Sequence, residues 1–274
     1  MNKPLVSVIM GIYNTAESLP ASIESLINQT YTNWELIMCD DCSTDNTYEV
    51  ALEYANKYDN IKVVKNEENK KLAYSLNHCL KYAQGEYIAR MDADDICLPQ
   101  RFEKQVKFLE DNTHLSVVGT SMTRFNENGD FADMLAIENP NKYNLKNTVP
   151  YFHATIMMRK KAMDKIGGYT VEKRTERGQD LDLWFKFYAN GFEGGNILEC
   201  LYKVREDKNA LKRRKLKYSV SVFKTMNMGY KMLKFPFWWR IYTIKPIVSH
   251  FTPYKLKVWR RNRLQAKRLK NANK

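Results

Sequence analysis

Five carboxylates fall in two short clusters within the first hundred residues, and their spacing suits metal and phosphate chemistry. Asp40 and Asp41 follow one apolar run, and Asp92, Asp94 and Asp95 follow another. Acids on loops are usually solvated, but five brought together would repel one another unless a cation or hydrogen-bond donors neutralised them. Mg²⁺ and Mn²⁺ prefer such oxygen ligands and complete their shell with water and phosphate oxygens. If the clusters meet in space, the pattern favours a metal–diphosphate site.

The elements around these clusters predict that they do meet. Short β-branched runs alternate with amphipathic helical patterns in a β-α-β-α-β-α-β order. This order is typical of an α/β fold with a parallel sheet and helices on both faces. Right-handed crossovers then place the ends of the first, second and fourth strands on one edge, where open α/β sheets bind ligands. The predicted strands are residues 5–10, 34–38, 61–65 and 87–91, and the predicted helices are 17–28, 45–55 and 72–82.

The second hundred residues are less regular. Residues 126–147 are polar and predict a loop, and Trp184 is expected to be a core residue of the last helix. The patterns predict helices over 101–111 and 181–188, and strands over 115–119, 122–125 and 155–158.

Several ordered motifs make the chain resemble the family 2 glycosyltransferases, inverting enzymes with the GT-A fold that binds nucleotide sugars. The resemblance covers about residues 4–200, and several motifs at family spacing are more specific than any single Asp-x-Asp. It implies a Rossmann-like, mostly parallel sheet flanked by helices. The motifs are VSVIMGIYN at 6–14, QTY at 29–31, DDCSTDNT at 40–47, GEYIARMDADD at 85–95, P-x-R at 99–101, HATIMMR at 153–159, GGY at 167–169 and QDLDLW at 179–184.

The resemblance implies roles for the residues at the predicted sheet edge. Asp41 corresponds to the residue that hydrogen-bonds the nucleobase, and Tyr13 with the backbone near Gly11 lies where the family holds the base and ribose. Asp92 would contact the ribose or diphosphate. Asp94 would bind the divalent metal, Mn²⁺ or Mg²⁺.

The same resemblance implies that Asp180 is the general base that takes the proton of the acceptor hydroxyl. Direct displacement at the anomeric carbon needs a base on one face of the sugar and a stabilised diphosphate on the other. His153 and Gln179 are candidates for contact with the diphosphate or the acceptor. A structural role for His153 beside a buried strand is an equal alternative.

Three positions depart from the family pattern. Gln179 replaces the glutamate that usually precedes the catalytic aspartate, so this position keeps its hydrogen bonding but loses a charge. Cys42 and Lys71 each stand where the family commonly has a glycine. Both are loop changes that could alter the choice of donor.

The C-terminal quarter has a different composition. Residues 201–274 contain 22 lysines and arginines and two acids, a net charge of +20. Residues 1–200 contain 22 lysines and arginines and 29 acids, a net charge of −7. Such segregation points to a partner with a negative surface. We predict a helix over 208–234, then the aromatic run 235–242, then eight basic residues among apolar ones over 255–270. Aromatic residues beside lysines and arginines favour attachment to an anionic membrane surface.

These patterns predict a catalytic domain over residues 1–204 and a basic helical extension over 205–274. The catalytic domain would have a nucleotide-sugar half at 1–100 and an acceptor half at 101–204. No signal peptide or transmembrane helix is expected. Five scattered cysteines suggest reduced thiols, and the pair Cys39 and Cys42 lacks the second pair that a zinc site needs. The expected location is the cytoplasm, at the inner face of the cell membrane.

The leading hypothesis is sugar transfer from a nucleotide-diphosphate sugar, first of all a UDP-sugar, to a glycan acceptor that is lipid-linked. A sugar nucleotidyltransferase is the alternative enzyme, but residues 11–17 lack the glycine-rich basic loop that would bind a triphosphate. A nucleic-acid-binding protein is the alternative from another class. It would explain the basic quarter but not the acidic clusters, so no nucleic acid partner is expected. A catalytically dead scaffold is disfavoured because every required acid is present.

Overall fold

Four parallel strands form the first half of a nine-stranded sheet, in the order β3-β2-β1-β4. The computed structural model describes residues 3–206 and 216–253, together with Leu256, Trp259, Arg263 and Gln265. The strands are β1 (Val6–Ile12), β2 (Trp34–Asp40), β3 (Ile61–Lys65) and β4 (Tyr87–Arg90), and the helices between them are α1 (Leu19–Ile27), α2 (Thr47–Lys57) and α3 (Leu72–Leu80). The predicted β-α order and parallel pairing are confirmed.

The sheet continues through strands from the second half of the chain, in the order β4-β8-β6-β9-β5, with β7 paired to β6. Strand β8 is antiparallel to both β4 and β6, so it returns the chain and lets β6 and β9 run parallel again. The elements are β5 (Ile96–Cys97), α4 (Arg101–Asp111), β6 (Val117–Asn126), β7 (Gly129–Met134), β8 (Met157–Arg159), α5 (Lys160–Lys165), α6 (Gln179–Ala189) and β9 (Gly194–Arg205).

Three predictions for this half are corrected. The two strands expected at 115–119 and 122–125 are the single strand β6, because the polar pair Thr120 and Ser121 is buried and hydrogen-bonded rather than in a turn. The expected loop 126–147 contains β7, whose mostly exposed residues give no apolar alternation. The strand expected at 155–158 begins at Met157, after a 3-10 turn at His153–Thr155.

The side chains of the sheet alternate between two cores. In β1, Val8 and Met10 face one side with α1 and α4, whereas Ile9 faces the other side with α3 and α6. This alternation follows from the two-residue period of a strand. Because both faces are covered, the central strands are almost continuously apolar, as parallel strands in α/β proteins usually are. The polar residues that follow them are therefore displayed at the strand ends.

The chain after the sheet forms α7 (Leu216–Met232), a 3-10 segment (Phe237–Ile244) and α8 (Lys245–Phe251). Helix α7 packs against α6 through Gly229, where a Cβ would lie 2.1 Å from Cγ of Phe185. The predicted helix 208–234 is thus observed from Leu216; residues 208–215, and most of the predicted basic segment 255–270, lie outside the described residues. No helix in the described ranges is long and apolar enough to cross a membrane.

We expect Gly229→Ala to lower the free energy of unfolding by about 1–2 kcal/mol, because overpacking against Phe185 costs up to about 3 kcal/mol and alanine regains only roughly 1 kcal/mol in helix propensity. Chemical denaturation measures the change. Met228→Ala, at the exposed neighbouring position, is the control and should alter stability by less than about 0.5 kcal/mol. An unchanged Gly229→Ala protein would contradict the close contact between α6 and α7.

Candidate active site

The loops that follow β1 and β2 are joined at the carboxyl edge of the sheet. The backbone N–H of Asp41 donates to the carbonyl of Ile12 at 2.9 Å, and the N–H of Thr44 donates to Oδ1 of Asn14 at 2.9 Å. Asn14 adopts a positive φ of 51°, so the chain turns sharply after β1. These bonds bring Tyr13, which is 46% exposed, to the same edge as Asp41.

The carboxylate of Asp41 is buried and bound by three donors. Nδ2 of Asn66 and the backbone N–H of Lys70 donate to Oδ1, and the N–H of Lys71 donates to Oδ2, each at 2.8 Å. Three donors fixed in this way hold the carboxylate in one orientation. A second buried acid, Asp40, instead accepts from the N–H of Ser43 in its own loop.

Gly11 lies within β1 and allows α3 to begin close to the strand. A Cβ at Gly11 would lie 2.8 Å from Cδ1 of Leu72, the first residue of α3. Since Lys70 and Lys71 directly precede Leu72, the close packing at Gly11 supports the loop that binds Asp41. The structure thus gives Gly11 a packing contact that the sequence did not indicate.

Lys71 and Cys42, the two departures from glycine, both adopt left-handed backbone conformations. Their φ angles are 70° and 62°, a region that favours glycine because it lacks a Cβ. The glycines of the family pattern therefore have a conformational reason at these positions. In this chain both residues are held in that conformation, and Lys71 still directs its N–H to Asp41.

Asp92 is fixed at the end of β4 by a buried arginine. Nη2 of Arg90 lies 2.6 Å from Oδ1 of Asp92, and the backbone N–H of Asp92 donates to the hydroxyl of Tyr202 at 3.1 Å. Arg90 is 3% exposed. Its positive charge therefore lies beneath the acidic cluster and offsets part of the repulsion among the carboxylates.

Asp94 and Asp95 have distinct surroundings on the loop after β4. Burial and the charge of Asp92 raise the pKa of both, and that of Asp95 is raised well above its ordinary value. Oδ1 of Asp95 accepts the N–H of Arg205 at 2.8 Å, which ties the loop to the end of β9. Asp94 is partly exposed, and within the described ranges no salt bridge involves its carboxylate.

The donor set around Asp94 fits a divalent cation that is shared with a phosphate. Among the described residues no group of three histidines, cysteines or acids could hold a metal alone. Mg²⁺ and Mn²⁺ in nucleotide sites take one or two carboxylates and complete their shell with phosphate oxygens and water. A cation beside Asp92 and Asp94 would also relieve the repulsion that raises the pKa of Asp94.

Asp180 lies in the first turn of α6, close enough to Arg90 and Asp92 to interact with both charges. Burial raises its pKa; hydrogen bonds from its own N–H and that of Leu181, and the charge of Arg90, act in the opposite direction. The structure thus brings Asp180 and Asp92 into one site.

The side chain of Gln179, the residue before Asp180, is bound to its own backbone neighbour. Its Oε1 accepts the N–H of Gly178 at 3.1 Å.

His153 lies next to the same group in a largely apolar setting. Its Nε2 is 3.0 Å from the hydroxyl of Tyr169, and its ring packs edge-on against Trp184, with centroids 5.6 Å apart. Burial and the charge of Arg90 hold the pKa of His153 well below its ordinary value, so the ring is neutral. Trp184 is fully buried, as predicted for a core residue.

Several polar atoms near this cluster have no hydrogen-bond partner among the described residues. They are Nε and Nη1 of Arg90, Nδ1 of His153 and Nε1 of Trp184. Buried polar atoms are rarely left without a partner outside functional sites. The site therefore has hydrogen-bonding capacity that the chain itself does not use.

Four residues of this site were not anticipated from the sequence: Arg90, Asn66, Tyr202 and Arg205. Arg90 carried a usable signal, because a charged residue in an otherwise apolar strand requires a partner. Asn66 directly follows β3 and could have been sought at the same edge. Tyr202 and Arg205 carried none, because β9 itself was not predicted.

Residues 7–174 match the model of glycosyl transferase family 2. The chain belongs to this family. It is 46% identical to EpsE of Bacillus subtilis (strain 168), which is named as a glycosyltransferase, over 98% of this chain and 95% of that protein. The chain also matches part of WfgD of Escherichia coli, with 44% identity over 41% of this chain and 44% of that protein. WfgD is named UDP-Glc:alpha-D-GlcNAc-diphosphoundecaprenol beta-1,3-glucosyltransferase.

Two solved structures share the fold. TarS of S. aureus in complex with UDP-GlcNAc has a TM-score of 0.66 and 21% identity, over 83% of this chain and 70% of that chain. The mannosyltransferase PcManGT of Pyrobaculum calidifontis, in complex with GDP-Man and Mn²⁺, has a TM-score of 0.61 and 17% identity, over 100% of this chain and 81% of that chain. The expected GT-A fold and the assignment to the transferases are thereby confirmed. The alternative of a sugar nucleotidyltransferase is not supported.

Lys71→Gly should leave stability unchanged or raise it by up to about 1 kcal/mol, because relief of the left-handed conformation offsets the entropy that glycine gains in the unfolded chain. The matched control is Lys70→Gly, where the backbone N–H also binds Asp41 but φ is not positive. That change should cost about 0.5–1 kcal/mol. Equal losses in urea denaturation would contradict strain at Lys71.

Proposed function

We propose that this glycosyltransferase moves a sugar from a UDP-sugar to a glycan acceptor with inversion at the anomeric carbon. The observation that carries the proposal is the pair of acids at one site: Asp92, paired with Arg90, and Asp180, with a raised pKa at the start of α6. One lies on the loop where a diphosphate would leave. The other is a base for the incoming hydroxyl.

Asp41 binds the nucleobase in this proposal. Its Oδ2 accepts the N–H of Lys71, and a carboxylate oxygen can accept two hydrogen bonds, so an N–H of a uracil ring is a suitable further donor. Tyr13 offers an exposed ring beside it, and the backbone near Gly11 borders the ribose. The UDP-GlcNAc complex of TarS, a structure with the same fold, is consistent with this choice of base.

Asp94 is the proposed metal ligand, and Asp92 contacts the ribose or the diphosphate. Bound Mn²⁺ or Mg²⁺ would stabilise the charge that builds on the departing diphosphate. The protein contributes the rigid loop between β4 and β5, which Asp95 ties to Arg205. The Mn²⁺ complex of PcManGT supports the choice of cation for this fold.

Asp180 accepts the proton of the acceptor hydroxyl as the oxygen attacks the anomeric carbon. Burial raises its pKa, which makes it a stronger base than an ordinary aspartate. His153 is neutral and can exchange a hydrogen bond with the diphosphate or the acceptor through Nδ1. Gln179 can contact the acceptor after releasing Gly178.

The acceptor in this proposal is a lipid-linked glycan used for cell-surface polysaccharide, and the enzyme works at the cytoplasmic face of the membrane. WfgD, whose name gives a diphosphoundecaprenol acceptor, supports the acceptor class. The net charge of +20 over residues 201–274, together with the aromatic run 235–242, supports an anionic membrane surface as the partner. We assign residues 1–100 to the donor, 101–204 to the acceptor and 205–274 to attachment.

Asp180→Asn should reduce sugar transfer by about 10²–10⁴-fold, because the amide cannot accept the proton. Release of nucleoside diphosphate in the presence of acceptor measures the rate, and the binding of UDP should not change. Asp164→Asn, on the exposed ion pair with Lys160, is the control and should retain activity. In the wild type, activity should fall with decreasing pH at a value above the ordinary aspartate pKa, as Asp180 becomes protonated. Full activity in Asp180→Asn would refute the mechanism.

UDP with Mn²⁺ should raise the melting temperature more than UDP alone, because the cation links the diphosphate to Asp94. In Asp94→Asn the additional increase should disappear, whereas Asp111→Asn, on the exposed end of α4, should respond like the wild type. A screen of UDP-, GDP- and dTDP-sugars by the same thermal shift tests the base. Stabilisation by GDP-sugars alone would overturn the assignment of uracil.

A further inference from the structure

A row of large apolar side chains is exposed on the segment 237–251, which we call the apolar ridge. The side chains are between 45% and 74% exposed, and Trp238 is the most exposed of them. From Trp238 onward they recur every three or four positions, so they follow one side of the 3-10 segment and α8. The members are Phe237, Trp238, Ile241, Ile244, Val248 and Phe251.

The opposite side of the same segment already packs on the protein. Trp239 contacts Phe235 and Tyr143, with ring centroids 5.1 and 6.0 Å away. Thr243 is buried, and its hydroxyl accepts Nδ2 of Asn227 on α7 at 3.1 Å. The orientation of the segment is therefore fixed by these contacts, and the ridge is the side that remains outward. A soluble surface rarely displays so many adjacent large apolar groups without a partner.

The charge around the ridge indicates the chemistry of that partner. After Asp207 the sequence has no acidic residue, and residues 216–274 contain 15 lysines and arginines. Arg240 and Lys245 lie within the ridge segment itself. Tryptophan and phenylalanine between basic residues match the headgroup region of an anionic bilayer, where the rings enter the acyl boundary and the cations meet lipid phosphates. The segment has 15 residues, too few for a helix to span the hydrocarbon core.

We propose that the apolar ridge inserts into the headgroup region of an anionic phospholipid membrane, with the segment lying in the plane of the interface. This inference rests on the proposed function only in its purpose, which is access to a lipid-linked acceptor. Each ridge residue contributes apolar area, and the basic residues of the same C-terminal quarter contribute attraction to the surface.

Helix α7 links the ridge to the catalytic side of the site. Thr225 hydrogen-bonds Arg174, whose Nη1 lies 2.5 Å from Oδ1 of Asp182, two residues after Asp180. Asn227, which holds Thr243 of the ridge segment, is two residues after Thr225 on α7, about 3 Å along the helix axis. These contacts connect the ridge segment through α7 to α6, the helix that carries Asp180.

Flotation of the full chain with vesicles tests the proposal. Wild type should float with vesicles of equal phosphatidylglycerol and phosphatidylcholine, and much less with pure phosphatidylcholine or at high salt. The triple variant Trp238→Ser, Ile241→Ser, Phe251→Ser should lower the bound fraction at least about tenfold. Phe131→Ser, at an equally apolar and 45% exposed position on β7, is the matched control and should float like the wild type.

Two further measurements separate this inference from the catalytic proposal. The triple variant should keep the thermal shift with UDP and Mn²⁺ and the transfer to a water-soluble acceptor, which also shows that it folds. Asp180→Asn should lose transfer and still float. Failure of Asp180→Asn to lose transfer would affect the mechanism alone.

Three outcomes would overturn the inference. The first is a triple variant that floats like the wild type. The second is a wild type that dimerises through the ridge, seen as a dimer in light scattering that the triple variant abolishes. The third is a wild type that ignores anionic vesicles but shifts RNA in a gel, which would assign the basic surface to a nucleic acid.

Discussion

The repulsion among carboxylates at one edge of the sheet is the constraint on which the rest of the site depends. Burial and the charge of Asp92 raise the pKa of both Asp94 and Asp95. The chain offsets part of the repulsion with the buried guanidinium of Arg90 and with the N–H of Arg205. The part of the repulsion that is not offset acts on Asp94. A fold that neutralised every acid internally would have no attraction left for a cation and a diphosphate.

Much of this arrangement could be predicted from local patterns. The period of two in the strands and the order of helices determine which strand ends meet, so these patterns alone place Asp41 and Asp92 on one edge. The motifs added Asp180, which is distant in sequence. Trp184 also followed from its apolar helical position. The strand order and the burial of Trp184 were predictable because each depends on a short segment whose burial agrees with its local propensity.

The parts that could not be predicted depend on contacts between distant segments. Strand β9 begins with two glycines, Gly194 and Gly195, which pack against Val117 and Phe108, so it lacks the usual strand signal at its start. Its pairing with β6 also shifts in register twice. For that reason Tyr202 and Arg205 could not be predicted as residues of the site. The positive φ of Lys71 and Cys42 was likewise hidden, because neither residue favours that conformation by itself.

The hydrogen bond between Arg205 and Asp95 also decides where the catalytic unit can be cut. A chain ending at residue 204 would lack the N–H that Asp95 accepts and the guanidinium that reaches the carbonyl of Asp94. Ending it before α7 would uncover Phe185, which Gly229 covers. The minimal fragment that preserves the acidic loop and the core beside α6 therefore includes α7. In shuffling between relatives, the sheet and α7 would have to be inherited together.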